Sequence, residues 1–218
     1  MYKYILFDLD GTLTDPKEGI TRCVQYALSH FNIDEPNLEA LTRFIGPPMH
    51  LSFRDFYGFD EEKVKRAVEK YRERFNTIGI FENGAFEGIH QMLETLKKKD
   101  KILALATSKP EVQAQRILEK YDLIQYFDCV VGSELDGTRG NKAEVIREVF
   151  RRLDFSPLQQ THALMVGDRK YDILGAKACG IHSVGVKFGY AEENELELAG
   201  ADYVVNTIDE LTELLLAH

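Results

Sequence analysis

The chain is short of positive charge: 27 lysines and arginines stand against 36 aspartates and glutamates, a formal net charge of −9 with a pI near 5.2. A surface of that sign neither wraps a nucleic-acid backbone nor lies on an anionic membrane, since both need a basic face. Cysteine is scarce too. Cys23, Cys129 and Cys179 are odd in number, scattered and without paired spacing, which argues against a disulfide framework and for small core residues in a reducing cytoplasm. The six histidines show no ligand spacing; His90 and His182 fall in helix- or strand-like stretches and read as structural. No apolar run reaches the length that crosses a bilayer, and the chain opens on strand-like sequence, with no leader segment expected. A cytoplasmic location is the expectation, with a monomer or homodimer as the assembly.

What is present suffices for a core without staples, because 218 residues hold one α/β domain with an insertion. The first apolar run, Tyr4-Ile5-Leu6-Phe7, continues into Asp8-Leu9-Asp10-Gly11-Thr12. That pattern reads as a buried strand carrying two acids to a sheet edge. Burying an ionised carboxylate costs several kcal/mol or more unless it is paired or bound to a cation. A metal, a lysine or both are therefore expected nearby. The plain alternative is an exposed Asp-Gly turn, and the rest of the chain decides between them.

From Asp15 to Gly79 the periodicity is helical, over Gly19 to Phe31, Asn37 to Phe44, Met49 to Tyr57 and a charged stretch from an Asp60 cap to about Phe75. Phe44, Phe53, Phe56, Tyr57 and Phe59 read as the core of this all-helical insertion. Strands and helices then alternate. Strands are expected at Ile102 to Ala106, Phe127 to Val131, Ala163 to Val166, His182 to Val186 and Tyr203 to Val205. Helices are expected at Gly88 to Lys99, Pro110 to Tyr121, Asn141 to Leu153, Tyr171 to Cys179 and Ile208 to Leu216. This is an α/β order that implies a doubly wound parallel sheet, with residues 1–14 and 84–218 as a Rossmann-like core and 15–83 as the inserted helical domain.

Ligands of such sheets sit beyond the carboxyl ends of the strands. There the sequence places Asp8 and Asp10, then Thr107-Ser108-Lys109, then Gly167-Asp168-Arg169-Lys170-Tyr171-Asp172, with Lys142 opening the helix before the last of these strands. Taken singly, Thr107-Ser108-Lys109 before Pro110 could be a helix N-cap and Lys142 a surface lysine. Together the acids Asp8, Asp10, Asp168 and Asp172 form an oxygen site for a hard divalent cation, with Mg2+ the natural occupant. Magnesium is usually held by one or two carboxylates and a substrate phosphate, so a small phosphorylated metabolite is the expected partner. Thr107 and the amides after it can bind phosphate oxygens while Lys142 neutralises charge.

Asp8-Leu9-Asp10-Gly11-Thr12, with Thr107, Lys142 and Gly167-Asp168 through Asp172, resembles the haloacid dehalogenase superfamily of phosphatases over essentially the whole chain. The helical insertion resembles that family's cap, and Gly175-Ala176-Lys177-Ala178-Cys179-Gly180-Ile181 is also similar to it. Phe44-Ile45-Gly46-Pro47-Pro48 and Ala106-Thr107-Ser108-Lys109-Pro110 look most like its phosphoglycolate phosphatase and 5′-nucleotidase branch. Lys142-Ala143 departs from a frequent Lys-Pro but keeps the lysine. The resemblance implies that Asp8 is the nucleophile and Asp10 the general acid and base. It also implies that Mg2+ is held by Asp8, the Asp10 backbone carbonyl and Asp168, with Asp172 in support. Gly11, Thr12, Ser108 and Lys109 are expected at the substrate, with Arg22, Arg43 and Gly46 of the insertion as candidates for selecting it. Two rivals remain open: a sugar phosphomutase with the same chemistry, and a phospho-accepting signalling receiver. The receiver is disfavoured because it needs neither the insertion nor a second acid two residues after the first.

Overall fold

Alternation along the first strand sets the architecture. In the computed structural model, which describes residues 2–218, strand β1 (Tyr4–Phe7) is buried from Ile5 onward. Successive side chains of a strand point to opposite faces, and Leu6 joins a cluster with Val145, Ile146, Val149, Met165 and Ala176, whereas Phe7 meets Phe127 edge-on at 6.4 Å. Contacts divide the chain into two units, Met1–Thr14 with Ala85–His218, and Asp15–Gly84. The chain passes between them through two paired two-residue strands, β2 (Thr14–Asp15) and, on its return, β3 (Gly84–Ala85).

Within Asp15–Gly84 the helices are α1 (Lys17–Ser29), α2 (Met49–Tyr57) and α3 (Glu61–Phe75). The Asp60 carboxylate accepts from Lys63 N at 2.9 Å and satisfies an amide that the first turn of α3 leaves unpaired. The left-handed Gly58 (φ +64) ends α2. Phe44, Phe53 and Phe59 are buried, with Phe44 and Phe53 at 5.1 Å and Phe53 stacked on Phe59 at 6.0 Å. These three are core, as their spacing predicts, whereas Phe56 and Tyr57, expected in the same core, are half-buried. The stretch expected as a helix over Asn37 to Phe44 is a 3-10 helix, Leu38–Phe44, started by the Asn37 side chain accepting from Glu39 N.

The other unit continues with α4 (Ile89–Lys98), β4 (Ile102–Pro110), α5 (Glu111–Lys120), β5 (Cys129–Ser133), α6 (Lys142–Arg152), α7 (Pro157–Gln160), β6 (Ala163–Gly167), α8 (Lys170–Ala178), β7 (His182–Val186), α9 (Glu195–Ala199), β8 (Tyr203–Val205) and α10 (Ile208–Ala217). Six strands form one sheet in the order β5-β4-β1-β6-β7-β8, and every ladder is parallel. The chain thus winds outward on both sides of β1, which pairs Phe7 with Leu105 of β4 and with Val166 of β6. That in-register pairing brings the carboxyl ends of three strands together.

Three expectations need correction. β5 begins at Cys129 rather than Phe127, because the Phe127 ring packs on Phe7 and the Asp128 carboxylate accepts from Leu103 N at 2.9 Å. β4 runs on to Pro110, with a shift of register after Ala106, so Thr107-Ser108-Lys109 belongs to a strand end; α5 starts after Pro110 without a side-chain cap. The short β2, β3, α7 and α9 were not anticipated. Among the described residues no helix is long and apolar enough to cross a membrane.

Candidate active site

Asp8 follows β1 and is still tied to the sheet, its N–H donating to Val166 O at 2.9 Å. The residue is 6 % exposed. The chain then turns sharply, with Thr12, Leu13 and Thr14 all donating to Leu9 O. Gly11 makes the turn possible: its φ is +79, and a Cβ there would lie 2.1 Å from Asp168 Oδ2. Asp168 follows β6, and Asp172 lies in the first turn of α8, where its Oδ2 accepts from Arg169 N at 3.1 Å. A helix N-terminus favours negative charge at that position.

Lys142 opens α6 behind an Asn141–Glu144 capping box. Its side chain is buried, and Nζ lies 3.0 Å from Asp8 Oδ1, 2.8 Å from Asp172 Oδ1 and 2.9 Å from Ala106 O. Gly175 of α8 admits it; a Cβ at 175 would stand 2.7 Å from Lys142 Cγ. Oxygens of Asp8, Asp168 and Asp172 lie within 4.8 Å of one another. Of these three buried carboxylates, Asp8 and Asp172 share this one ammonium. Burial, then repulsion from Asp172 and Asp8, pushes the Asp168 carboxyl well above the usual carboxylate range. Burial also pushes Asp172 up to about 6, against the pull of Lys142. Burial alone would lower the Lys142 ammonium, but Asp172 and Asp8 hold it above its ordinary value.

That surplus of negative charge is the arrangement a divalent cation neutralises, and an all-oxygen donor set suits a hard one. Asp10 stands apart from the three. Its Oδ2 pairs with Lys109 Nζ at 2.7 Å, while its buried Oδ1 has no hydrogen-bond partner. Burial raises its pKa, Lys109 pulls it back, and Asp8 adds to the rise. Such a carboxyl holds a proton more readily than an exposed one.

The remaining sequence-predicted residues fall in several places. Thr107 is buried and its Oγ1 accepts from Lys109 N at 3.2 Å. Ser108 is half-buried, and its carbonyl receives the Ser133 hydroxyl at 2.8 Å. The Thr12 hydroxyl lies 3.4 Å from Asp168 Oδ1. Lys109, expected at the substrate, is buried and pairs with Asp10. Arg43 and Gly46 belong to the helical unit, where the Arg43 guanidinium lies over the Phe56 ring at 4.6 Å and Gly46 has φ +101. Arg22 pairs with Glu18 at 3.0 Å.

Sequence reasoning missed the segment after β7. Tyr190 N donates to Asp168 Oδ2 at 2.8 Å, and a Cβ at Gly189 would lie 2.3 Å from Asp168 Cβ. Phe188-Gly189-Tyr190 stands at the carboxyl end of a parallel strand, so the placement rule that found the other residues could have found it.

Comparison with known proteins agrees with this geometry. The haloacid dehalogenase-like hydrolase family matches residues 5–186. A 5′-nucleotidase of Pseudomonas aeruginosa is 46% identical over 217 residues, covering 100% of this chain and 97% of that protein. Tyrosine-protein kinase PtkA of Mycobacterium tuberculosis is 38% identical, over 97% of this chain and 72% of that protein. Among solved structures, one described as a predicted phosphatase from Clostridium acetobutylicum superposes with a TM-score of 0.96 at 44% identity, covering 100% of both chains. A parallel sheet with acids at the end of its first strand, a lysine across from them and relatives of this kind lead to one conclusion: the chain belongs to the haloacid dehalogenase-like hydrolase family, as a phosphatase.

Proposed function

We propose that the chain hydrolyses the phosphomonoester of a small metabolite through an aspartyl-phosphate on Asp8, with magnesium as cofactor. The observation that carries this reading is the division of labour between Asp8 and Asp10. Asp8 sits 3.0 Å from the Lys142 ammonium and among the three clustered carboxylates, which suits an oxygen that must approach an anionic phosphoryl group. Asp10, two residues on, keeps one buried carboxyl oxygen without a partner and has a raised pKa, which suits a proton donor.

In the first step an Asp8 oxygen forms a bond to phosphorus while the ester P–O bond breaks, and the departing oxygen takes the Asp10 proton. Water then attacks the phosphorus and gives a proton to Asp10. This releases inorganic phosphate and restores the Asp8 carboxylate. Asp8, Asp168 and Asp172 would hold magnesium, which supplies positive charge against the phosphoryl oxygens. Lys142 adds the protein's own positive charge, and Thr107 with the amides that follow it offers donors to the phosphate.

A nucleoside 5′-monophosphate is the first substrate to test, on the strength of the 46% likeness to a 5′-nucleotidase, with phosphoglycolate beside it. Phosphate released from a panel of phosphorylated metabolites, with and without magnesium, is the measurement. Asp8→Asn should lower turnover by roughly 10⁴- to 10⁶-fold with the fold intact; release at an appreciable fraction of the normal rate overturns the reading. Asp10→Asn should cost about 10²- to 10⁴-fold. The 38% likeness to a protein named as a tyrosine kinase favours a second reading, in which a hydroxyl other than that of water accepts the phosphoryl group. Isomerised sugar phosphate or phosphotyrosine, formed with little inorganic phosphate, would establish it.

A further inference from the structure

Residues 187–194, between β7 and α9, grip Asp168 through their backbone. The Tyr190 N–H donates to Asp168 Oδ2 at 2.8 Å. Gly189 is pressed so closely that a Cβ would lie 2.3 Å from both Asp168 Cβ and Gly11 O. A loop amide orients a carboxylate only if the loop itself is held, and one group that holds it, at the end nearest α9, is Glu195. Its Oε1 accepts from Arg169 Nε at 2.9 Å and from Lys170 N at 2.8 Å, and its Oε2 accepts from Glu192 N at 3.0 Å.

Both members of the pair are buried, Arg169 at 5 % and Glu195 at 8 % exposure. A buried ion pair is a poor source of stability, since packed apolar side chains of similar volume often do as well. Its geometry here does something they would not: one carboxylate ties the far end of the loop to the two residues that directly follow Asp168. Asp168 is thereby fixed from its own chain side and from the loop, with the Thr12 hydroxyl at its other oxygen.

We propose that Glu195 is a positioning residue for the three-carboxylate cluster, latching residues 187–194 to Arg169 so that the Tyr190 amide sets the orientation of Asp168. The proposal rests on the reading that Asp8, Asp168 and Asp172 hold magnesium. Residues that orient a metal ligand typically change metal affinity by roughly 10- to 100-fold when removed, and that is the effect expected here.

The test is magnesium binding by titration calorimetry on the full chain without substrate, for wild type, Glu195→Gln, Glu195→Ala and the exposed neighbour Glu193→Gln. Glu195→Gln keeps the volume and serves if the alanine variant does not fold. The magnesium Kd should rise by about 10- to 100-fold in both Glu195 variants and stay unchanged in Glu193→Gln. In turnover assays the magnesium KM should rise by more than kcat falls. A lowered Tm with an unchanged Kd makes Glu195 a purely structural residue and overturns the proposal, as does an equal change in Glu193→Gln. Failure of the wild type to bind magnesium overturns the metal reading and the latch with it; normal wild-type binding that the Glu195 variants share overturns the latch alone.

Discussion

Lys142 is the residue on which the charge balance turns, because its Nζ bridges Asp8 and Asp172 within a fully packed setting. Removing one partner of a buried pair leaves uncompensated charge, at a typical cost of 3–5 kcal/mol. Lys142→Met should therefore lower the stability of the metal-free protein by about that much in denaturant titration. Gly175 protects the same lysine by its lack of a side chain. Gly175→Val should displace Lys142 and reduce kcat by on the order of 10²-fold, as misplacements near 1 Å do, with the circular dichroism unchanged. At this scale the acids were legible because a charged group that closes an apolar strand demands a partner. The lysine that answers them was legible too, as Lys142; the pairing of Lys109 with Asp10 and that of Arg169 with Glu195, 26 positions on, were not. An ion pair between distant residues leaves no period in the sequence.

Helix α6 shows how an element carries the lysine and pins itself. Asn141 and Glu144 close its start, and near its end Glu148 accepts from Arg151 and Arg152, with Arg139 at 3.7 Å. Hydrogen bonds from Arg151 and Arg152 hold the Glu148 carboxyl down to about 2. A depressed folded-state pKa adds stability above the unfolded value of 4.5 that is lost as pH falls toward about 2. Glu148→Gln should accordingly lower Tm at neutral pH, and its deficit should shrink steadily in melts below about pH 4.5. Capping residues made such helices readable in advance, Asp60 above all. The 3-10 geometry of Leu38–Phe44 was not readable, since apolar spacing does not separate it from an α-helix over two turns. Nor was β5, whose start is set by where Phe127 and Asp128 find partners on neighbouring strands.

For the molecule as a whole, α/β alternation made the parallel sheet legible, and the long helical stretch after β1 marked the insertion. All three carboxylates of the cluster lie in the unit formed by Met1–Thr14 and Ala85–His218. Ligand binding stabilises the folded state by mass action, about 2.7 kcal/mol at 100 times Kd. Magnesium at that level should raise the melting transition of this unit by roughly 5–10 °C, and Asp168→Asn should abolish the rise in a scanning fluorimetry series. The crossing at β2 and β3 has a consequence for how such a protein can change. Because the polypeptide departs and returns through neighbouring, paired strands, an ancestor could exchange, lengthen or lose the intervening helices without cutting the sheet. The three-carboxylate cluster, lying wholly outside that block, is inherited intact through any such exchange.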